Sequence, residues 1–196
     1  MERKPDRKAE THARMRDAAG RGFRAHGFAG IGVDGIAKAA GVTSGAFYAH
    51  FGSKDGAFLQ VLNDGLDQVL TNMPKRQREH GENWPTAFAD YYLGAAHRAD
   101  LACGCAMTTL SPEVVRADPE IREVYEDKMN RIVDIMAEGL AGGTLASRRR
   151  RAWAMLAVLI GGLTMARAVI GDDEAMEIAA AVKKAAIEAA GPAKGR

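Results

Sequence analysis

Residues 33–54 constrain the fold of this 196-residue chain more than any other segment. Small and apolar residues recur at helical spacing up to residue 40, and Phe47 and Phe51 stand at positions i and i+4 of a second short stretch. Between them, Gly41 can take the left-handed conformation that ends a helix, and a hydroxyl residue at position 43 or 44 can cap the next helix. The segment therefore predicts two short helices joined by a sharp turn, as in a helix-turn-helix.

The second of these helices leaves small and polar side chains on its outer face, where they can approach bases and phosphates. Charge supports this interpretation, because residues 1–54 hold ten Lys or Arg and five Asp or Glu, whereas the whole chain has a net charge of +2. We expect Tyr48, His50 and Lys54 to hold phosphates and residues 43–45 to lie closest to base edges. The full set of predicted DNA contacts is Gly32, Thr43, Ser44, Gly45, Ala46, Tyr48, Ala49, His50 and Lys54.

The same residues resemble the helix-turn-helix of the TetR family of one-component transcriptional regulators. The chain has Gly41-Val42-Thr43-Ser44, then Tyr48-Ala49-His50-Phe51, then Ser53-Lys54, a run that is typical of that family. Ile31-Gly32 departs from the family pattern, since many relatives have two hydroxyl residues there that cap a helix and touch phosphate. The resemblance implies an all-α protein of about nine helices, with a DNA-binding domain over residues 1–53 and an effector-binding and dimerisation domain over residues 54–196.

Apolar spacing elsewhere predicts further helices and no strand. A bracing helix should run from residue 6 or 7 to residue 25 and end at Gly27. Its four arginines, Arg14, Arg16, Arg21 and Arg24, are expected on a solvated face. Beyond the helix-turn-helix we expect helices over residues 54–70, 84–99, 120–140, 144–170 and 172–190. The polar residues 74–83 are the best candidate for a connection, and Gly142 and Gly143 should end the helix over 120–140.

The last two predicted helices are apolar enough to serve a second copy of the chain. Residues 152–166 contain no charged side chain, and small residues there allow close approach of another helix. An intrachain core explains part of this surface, and the resemblance implies that the pair also forms a four-helix dimer interface. A two-fold dimer would then need a near-palindromic operator in double-stranded DNA. The interface candidates are Leu159, Gly162, Met165, Ala166, Ile178, Ala179, Val182 and Ala186.

Aromatic and sulfur-containing side chains in the second part of the chain favour a cavity for a small apolar or aromatic effector, which in this family releases a repressor from its operator. Each of them can equally belong to the hydrophobic core. The candidates for cavity lining are Trp84, Phe88, Tyr91, Tyr92, His97, Cys103, Cys105, Met107, Thr109, Met129, Met136, Trp153 and Leu156.

The pair Cys103-Gly104-Cys105 leaves three interpretations open. Two cysteines one residue apart rarely bond to each other, and a chain kept in the cytoplasm does not need a disulfide. They can be small packing residues, or a sensor of electrophiles and oxidants if a helix N-terminus lowers the pKa of a thiol. A soft-metal site with His97 is the third interpretation.

Four consecutive arginines, Arg148 to Arg151, follow the start of the helix over 144–170. Positive charge there opposes the helix dipole, so we expect a solvated face without stabilising contacts. A second DNA-binding patch is the alternative, although it is distant in sequence from residues 33–54.

Other classes of function lack a sequence pattern. The five His, two Cys and scattered carboxylates form no nucleophile–base pair, phosphate loop or His-Glu-x-x-His spacing, so we expect neither an enzyme nor a cofactor. An architectural DNA-binding protein is an alternative, but the large second part of the chain favours a sensor. The charged start has no signal-like apolar core, and the uncharged run is shorter than the ~20 residues that cross a bilayer. We therefore expect a cytoplasmic protein without a membrane partner.

Overall fold

The computed structural model describes residues 7–192, and in that range the chain is helical without a strand, which confirms the all-α prediction. Nine of its α-helices have five or more residues, as the resemblance implied, and two more have four. No helix in this range is long and apolar enough to cross a membrane. The helices are α1 (Arg7–Gly30), α2 (Val33–Ala39), α3 (Ser44–Phe51), α4 (Lys54–His80), α5 (Trp84–Tyr92), α6 (Ala95–Ala99), α7 (Ala106–Thr109), α8 (Ser111–Val114), α9 (Pro119–Gly139), α10 (Leu145–Ala168) and α11 (Asp172–Ala190), with a 3-10 turn at Gly81–Asn83.

Helices α1, α2 and α3 pack around buried aromatic and aliphatic side chains. Phe23 of α1, Ile36 of α2 and Phe47 of α3 are fully buried, and the ring of Phe23 meets Phe58 of α4 edge-on at 5.5 Å. The predicted break at Gly27 is confirmed, because φ is 74° at that residue. These contacts fix the orientation of α3 relative to α1 and α4.

Helix α4 is a single helix of 27 residues, which corrects the prediction of a helix to residue 70 and a connection over 74–83. Pro74 lies inside it, although a proline in a helix interior costs about 3 kcal/mol. Contacts with α9 hold its second half: Gln77 Nε2 donates to the carbonyl of Ile135 at 2.8 Å, and Lys128 Nζ donates to Asp67 Oδ1 at 2.5 Å. Tertiary packing thus overrides the local signal of the proline.

The helix predicted over residues 84–99 is broken into α5 and α6 at residues 93 and 94. Side chains at both ends of α5 are anchored, because Trp84 Nε1 donates to the carbonyl of Gly139 at 3.0 Å and the Tyr92 hydroxyl lies 2.7 Å from Thr108 Oγ1. The chain then turns so that α7 packs on α4. At that contact Gly65 leaves space for the methyl group of Ala106, since a Cβ at residue 65 would lie 2.5 Å from it.

Helices α9, α10 and α11 follow their predicted ranges to within a few residues, and α11 has the predicted bounds. Gly142 and Gly143, with φ of 64° and 76°, form the turn after α9. Thr144 caps α10 by accepting from the Ser147 N–H at 3.2 Å.

The arginines at the start of α10 do not form a simple solvated face, so that prediction is wrong for three of the four. Arg151 donates to three carbonyls, two just after α9 at 2.6 Å and one at the end of α11 at 2.9 Å. Arg149 forms an ion pair with Asp134 of α9, and Arg148 donates to a carbonyl at the end of α9 at 3.3 Å. Arg148 and Arg151 thus satisfy carbonyls that helix ends leave open, a role that the dipole argument did not consider.

Candidate nucleic-acid interface and interior cavity

The outer face of α3 is open to solvent, while its inner face is fixed in the core. Phe47 is fully buried, and Thr43 Oγ1 caps the helix by accepting from the Ala46 N–H at 3.2 Å. Tyr48 projects outward and is 52% exposed. A short, braced helix of this kind can enter the major groove of DNA. On this face Thr43, Gly45, Tyr48 and Ala49 are exposed, and Ser44, Ala46 and His50 are partly exposed.

Ser44, which was predicted to lie near base edges, is held by a contact within the protein. Its hydroxyl donates to Asp34 Oδ1 of α2 at 2.5 Å. This contact fixes the side chain of Ser44 and places a carboxylate beside the N-terminus of α3. A carboxylate at this position repels phosphate but can accept a hydrogen bond from cytosine N4 in a major groove.

His50 is tied to α1 rather than projecting freely. Its Nδ1 lies 3.1 Å from Nδ1 of His12, and the other ring nitrogen of His12 lies 3.0 Å from Gln60 Nε2 of α4. Burial lowers the pKa of His12, and the neighbouring His50 and Arg16 lower it further, against an opposing effect of Asp64. The pair therefore links α3 to both α1 and α4 through side chains that can carry a proton.

Lys54 begins α4 next to α3, with its ammonium 4.4 Å from the centre of the Phe28 ring. Ser53 caps this helix by accepting from the Gly56 N–H at 2.9 Å. Gly32 precedes α2 without a side-chain cap, which agrees with the weaker cap predicted there. The three residues lie at the helix ends that flank the helix-turn-helix.

A cavity of about 130 Å³ lies between α4, α5 and the chain from Cys103 to the start of α7, and α1 and α6 each contribute one side chain to it. Phe88, Tyr92 and Met107 form buried parts of its wall, and the exposed ring of Tyr91 stands at its edge. An engineered apolar cavity of about 150 Å³ binds benzene. The space thus suits a single ring or a short chain. Its lining residues are Arg24, Gly65, Gln68, Val69, Asn72, Met73, Arg76, Phe88, Tyr91, Tyr92, His97, Cys103, Gly104, Cys105, Ala106 and Met107.

Polar groups in the cavity wall are mostly neutral. Burial raises the pKa of Tyr92 well above its usual range, and burial also raises the pKa of Cys105. Burial lowers the pKa of His97, and its Nδ1 donates to the carbonyl of Tyr91 at 3.0 Å. Near neutral pH these groups are uncharged, so the charged side chains of the lining are Arg24 and Arg76.

Seven of the residues predicted to line a ligand site lie in this wall: Phe88, Tyr91, Tyr92, His97, Cys103, Cys105 and Met107. Trp84 and Thr109 line other depressions of the surface. Met129, Met136 and Leu156 are packed in the hydrophobic core, and Trp153 is 40% exposed on α10. These six residues therefore lie outside the wall of this cavity, in the core or at the surface.

Sequence reasoning missed the contribution of α1 and α4, which supply Arg24, Val69, Met73 and Arg76 among others. The prediction of a connection over residues 74–83 is the reason that the contribution of α4 was missed. Had α4 been continued through Pro74, residues 65, 69, 72, 73 and 76 would have fallen on one face of it. Arg24 was assigned to a solvated face, but it is only partly exposed.

The thiols are not placed as an activated sensor would require. The pKa of Cys103 is raised, first by its hydrogen bond with Asp100, and burial raises that of Cys105. The pKa lowering that the sensor interpretation requires is therefore absent at both thiols, and α7 behind Cys105 has only four residues. Within residues 7–192 no three His, Cys, Asp or Glu side chains come together as a metal site would need.

The residues predicted for a dimer interface divide into buried and exposed groups. Leu159, Gly162, Ala166, Ala179 and Ala186 are buried within the chain itself, and a Cβ at residue 162 would overlap Val182 of α11. Ile178 and Val182 are partly exposed, whereas Met165 is 60% exposed. The outer face of α10 forms a stripe without charge, made of Trp153, Ala157, Gly161, Thr164, Met165 and Ala168.

Comparison with known proteins covers both halves of the fold. Residues 16–61, which include the helix-turn-helix, match the family model described as bacterial regulatory proteins, tetR family. The transcriptional regulatory protein RaaS of Mycobacterium tuberculosis is 29% identical over 155 residues, which are 77% of this chain and 68% of RaaS. The transcriptional repressor ComR of Escherichia coli is 29% identical over 104 residues, half of each chain.

Solved structures share the whole fold. The crystal structure of SCO4454, a TetR-family transcriptional regulator from Streptomyces coelicolor, superposes with a TM-score of 0.76 over 93% of this chain and 95% of that one. Sequence identity between the two is 19%, so this likeness concerns the fold alone.

Proposed function

Because the chain belongs to the TetR family of transcriptional regulators, we propose that it is a repressor that binds a near-palindromic operator as a homodimer and leaves it when a small molecule fills the cavity. The exposed outer face of α3, braced by the core of α1, α2 and α4, is the observation that carries the proposal. Repression is the proposed direction because the relative ComR is named as a repressor.

DNA contact by α3 agrees with its size and surroundings. Tyr48 and Lys54 stand at the second half of α3 and the start of α4, where a helix in the major groove meets phosphates. The cap at Thr43 and the bond from Ser44 to Asp34 fix the N-terminal end, which is the part that faces base edges in this kind of module. We thus assign the phosphate contacts that position the protein on DNA to the C-terminal end of α3, and the base contacts that select the sequence to its N-terminal end.

Dimerisation through the outer face of α10 would bring two copies of α3 to one duplex. The uncharged stripe includes two large exposed side chains, Trp153 and Met165, which a partner helix would cover. A closed two-fold arrangement places the same surface on both subunits. The small residues between them, Ala157 and Gly161, permit close contact of the two helices.

Release by a ligand would act through α4. The cavity wall contains Gly65, Val69 and Met73 of this helix, and the same helix begins at Lys54 beside α3. A ligand that favours one position of α4 over another changes the distance between the two copies of α3 in the dimer. The coupling is reciprocal, so operator DNA weakens ligand binding by the factor by which the ligand weakens DNA binding.

Selection from a random DNA library with the full chain tests the proposal. We expect enrichment of two inverted half-sites whose centres are about one helical turn, roughly 34–36 Å, or slightly more apart. Tyr48→Ala should lower the amount of DNA recovered, because a phosphate contact is lost, without changing the helical content measured by circular dichroism. Recovery of no common sequence by the folded wild-type protein would contradict sequence-specific DNA binding.

A further inference from the structure

The charged side chains of the cavity wall all have the same sign. Arg24 of α1 and Arg76 of α4 line it, and no Asp or Glu is among the lining residues. A small cavity with two guanidinium groups and aromatic walls favours an anionic occupant over a cationic one.

Arg24 forms no ion pair in the part of the chain that the structure describes. Its Nε is buried and makes no hydrogen bond there. The acidic residues nearest in sequence and space are engaged by other arginines, since Asp17 pairs with Arg21 at 3.0 Å and Asp64 pairs with Arg16 at 3.2 Å. Burying a guanidinium without a counter-charge is costly, so a ligand that supplies one gains the energy of the missing pair.

Arg76 is positioned by stacking and not by an acid. Its guanidinium carbon lies 3.9 Å from the centre of the Tyr91 ring, at the edge of the cavity. Across residues 7–192 it forms no ion pair, and a stacked guanidinium keeps its in-plane N–H groups available for a carboxylate or phosphate oxygen. The two arginines are thus the charged side chains of a wall that also contains neutral polar, aromatic and apolar side chains.

The cavity supplies no anion of its own that would satisfy them. Burial raises the pKa of Tyr92 and of Cys105, and the bond with Asp100 raises the pKa of Cys103, so all three stay protonated near neutral pH. Burial lowers the pKa of Arg24, and this effect outweighs the opposing effects of Cys105, Cys103, Asp17 and Asp64.

We propose that the cavity binds a small anion with a single ring or a short apolar chain, whose carboxylate or phosphate group pairs with Arg24 and Arg76. The ring or chain lies against Phe88, Tyr92 and Met107, which matches the volume of about 130 Å³. This inference rests on the proposed ligand-released regulator and assigns the chemical class of its effector.

The assignment gives the ligand a direct contact with the DNA-binding half. Arg24 lies on α1, three residues before the break at Gly27, and its Nη2 lies close to Gly65 of α4, where α7 also packs. An anion held by Arg24 and Arg76 therefore joins α1 to α4 from inside the cavity. The ligand acts on the junction of the two helices that orient α3.

Binding to matched acid and amide pairs tests the charge requirement on the wild-type chain. The probes are benzoate and benzamide, 4-hydroxybenzoate and 4-hydroxybenzamide, and hexanoate and hexanamide, titrated calorimetrically at constant ionic strength and about pH 7.5, where the acids are ionised. We expect at least one acid to bind about tenfold more tightly than its amide, the discrimination that a charge-assisted hydrogen bond gives. Equal affinities in every pair, or no acid binding at concentrations up to about 10 mM, would overturn the proposal.

Variants of two arginines on the same helix locate the charge. Arg24→Gln should reduce the preference for the acid to about twofold or less, and Arg24→Lys should keep part of it because a charge remains. Arg21→Gln is the matched control, since Arg21 is exposed, pairs with Asp17 and does not line the cavity. An unchanged preference in folded Arg24→Gln protein would reject Arg24 as the anion partner.

Operator binding distinguishes this inference from the proposed function. Release of operator by a neutral amide alone, without binding of any acid, would reject the anionic class and leave a ligand-released regulator. Arg24-dependent binding of an acid that leaves operator affinity unchanged would support the anion site and reject release through this cavity.

Discussion

Lys54 tests the assignment of phosphate contacts at the level of one side chain. Lys54→Ala should weaken binding to operator and to random-sequence DNA alike, and should lower the slope of log affinity against log salt by about one unit, because one phosphate contact is lost. Fluorescence anisotropy over a range of salt concentrations measures both quantities. Lys184→Ala removes the same charge from an exposed position of α11 and should leave the slope unchanged. A change of sequence preference in Lys54→Ala, at constant salt slope, would contradict the assignment.

The environment of His12 predicts how the stability of the fold changes at low pH. The groups around it are His50 and Phe51 of α3, Gln60 and Asp64 of α4, and Arg16 of α1. Because its pKa is lowered in the folded state, the unfolded chain binds more protons as pH falls below about 6.5, and stability is lost in that direction. His97, whose pKa is also lowered, contributes with the same sign.

The expected result is a smaller decrease of the urea midpoint between about pH 7.5 and 5.5 in His12→Gln than in the wild type. The exposed His80 at the end of α4 provides the control variant His80→Gln, which should follow the wild type. If His12→Gln shows the full wild-type decrease, the pair of His12 with His50 does not contribute to acid sensitivity.

Arg151 tests whether side-chain contacts to carbonyls at helix ends stabilise the fold. It donates to three carbonyls that join α10 to the ends of α9 and α11, so Arg151→Met should lower the free energy of unfolding by about 2 kcal/mol. The neighbouring Arg150 is exposed, and Arg150→Met should change it by less than about 0.5 kcal/mol. Urea unfolding at one protein concentration compares the two variants. Equal effects would mean that the carbonyl contacts do not stabilise the helix junction.

The helices that the sequence predicted correctly are those whose local signals agree with their packing. Gly41 has φ of 67° at the predicted turn, and α11 runs from its acidic start to the glycine after residue 190. The failures occur where distant contacts decide. Pro74 is tolerated because α9 holds α4, and the arginines of α10 bind carbonyls that only the folded chain brings near. The sequence predicted only part of the cavity wall for the same reason. The aromatic residues of α5 were predicted, whereas the charged residues of α1 and α4 were not.

Substitutions at two adjacent glycines of α10 distinguish a defect in dimerisation from a defect in folding. A Cβ at Gly161 meets no atom within 4 Å, whereas one at Gly162 overlaps Val182 of the same chain. Gly161→Arg should therefore give a folded monomer, because the charge lies on the uncharged outer stripe. Gly162→Arg should disrupt the packing of α10 on α11 and unfold the protein. Analytical ultracentrifugation with circular dichroism distinguishes these outcomes, and a folded Gly161→Arg dimer would contradict this interface.

Hydroxyl-radical footprinting of the full chain on its selected operator tests the central claim, that the protein binds DNA as a dimer through α3. We predict two protected segments related by two-fold symmetry and about one helical turn apart, with protection lost in folded Tyr48→Ala protein. Uniform protection along the duplex, or an unchanged footprint in Tyr48→Ala, would contradict the claim.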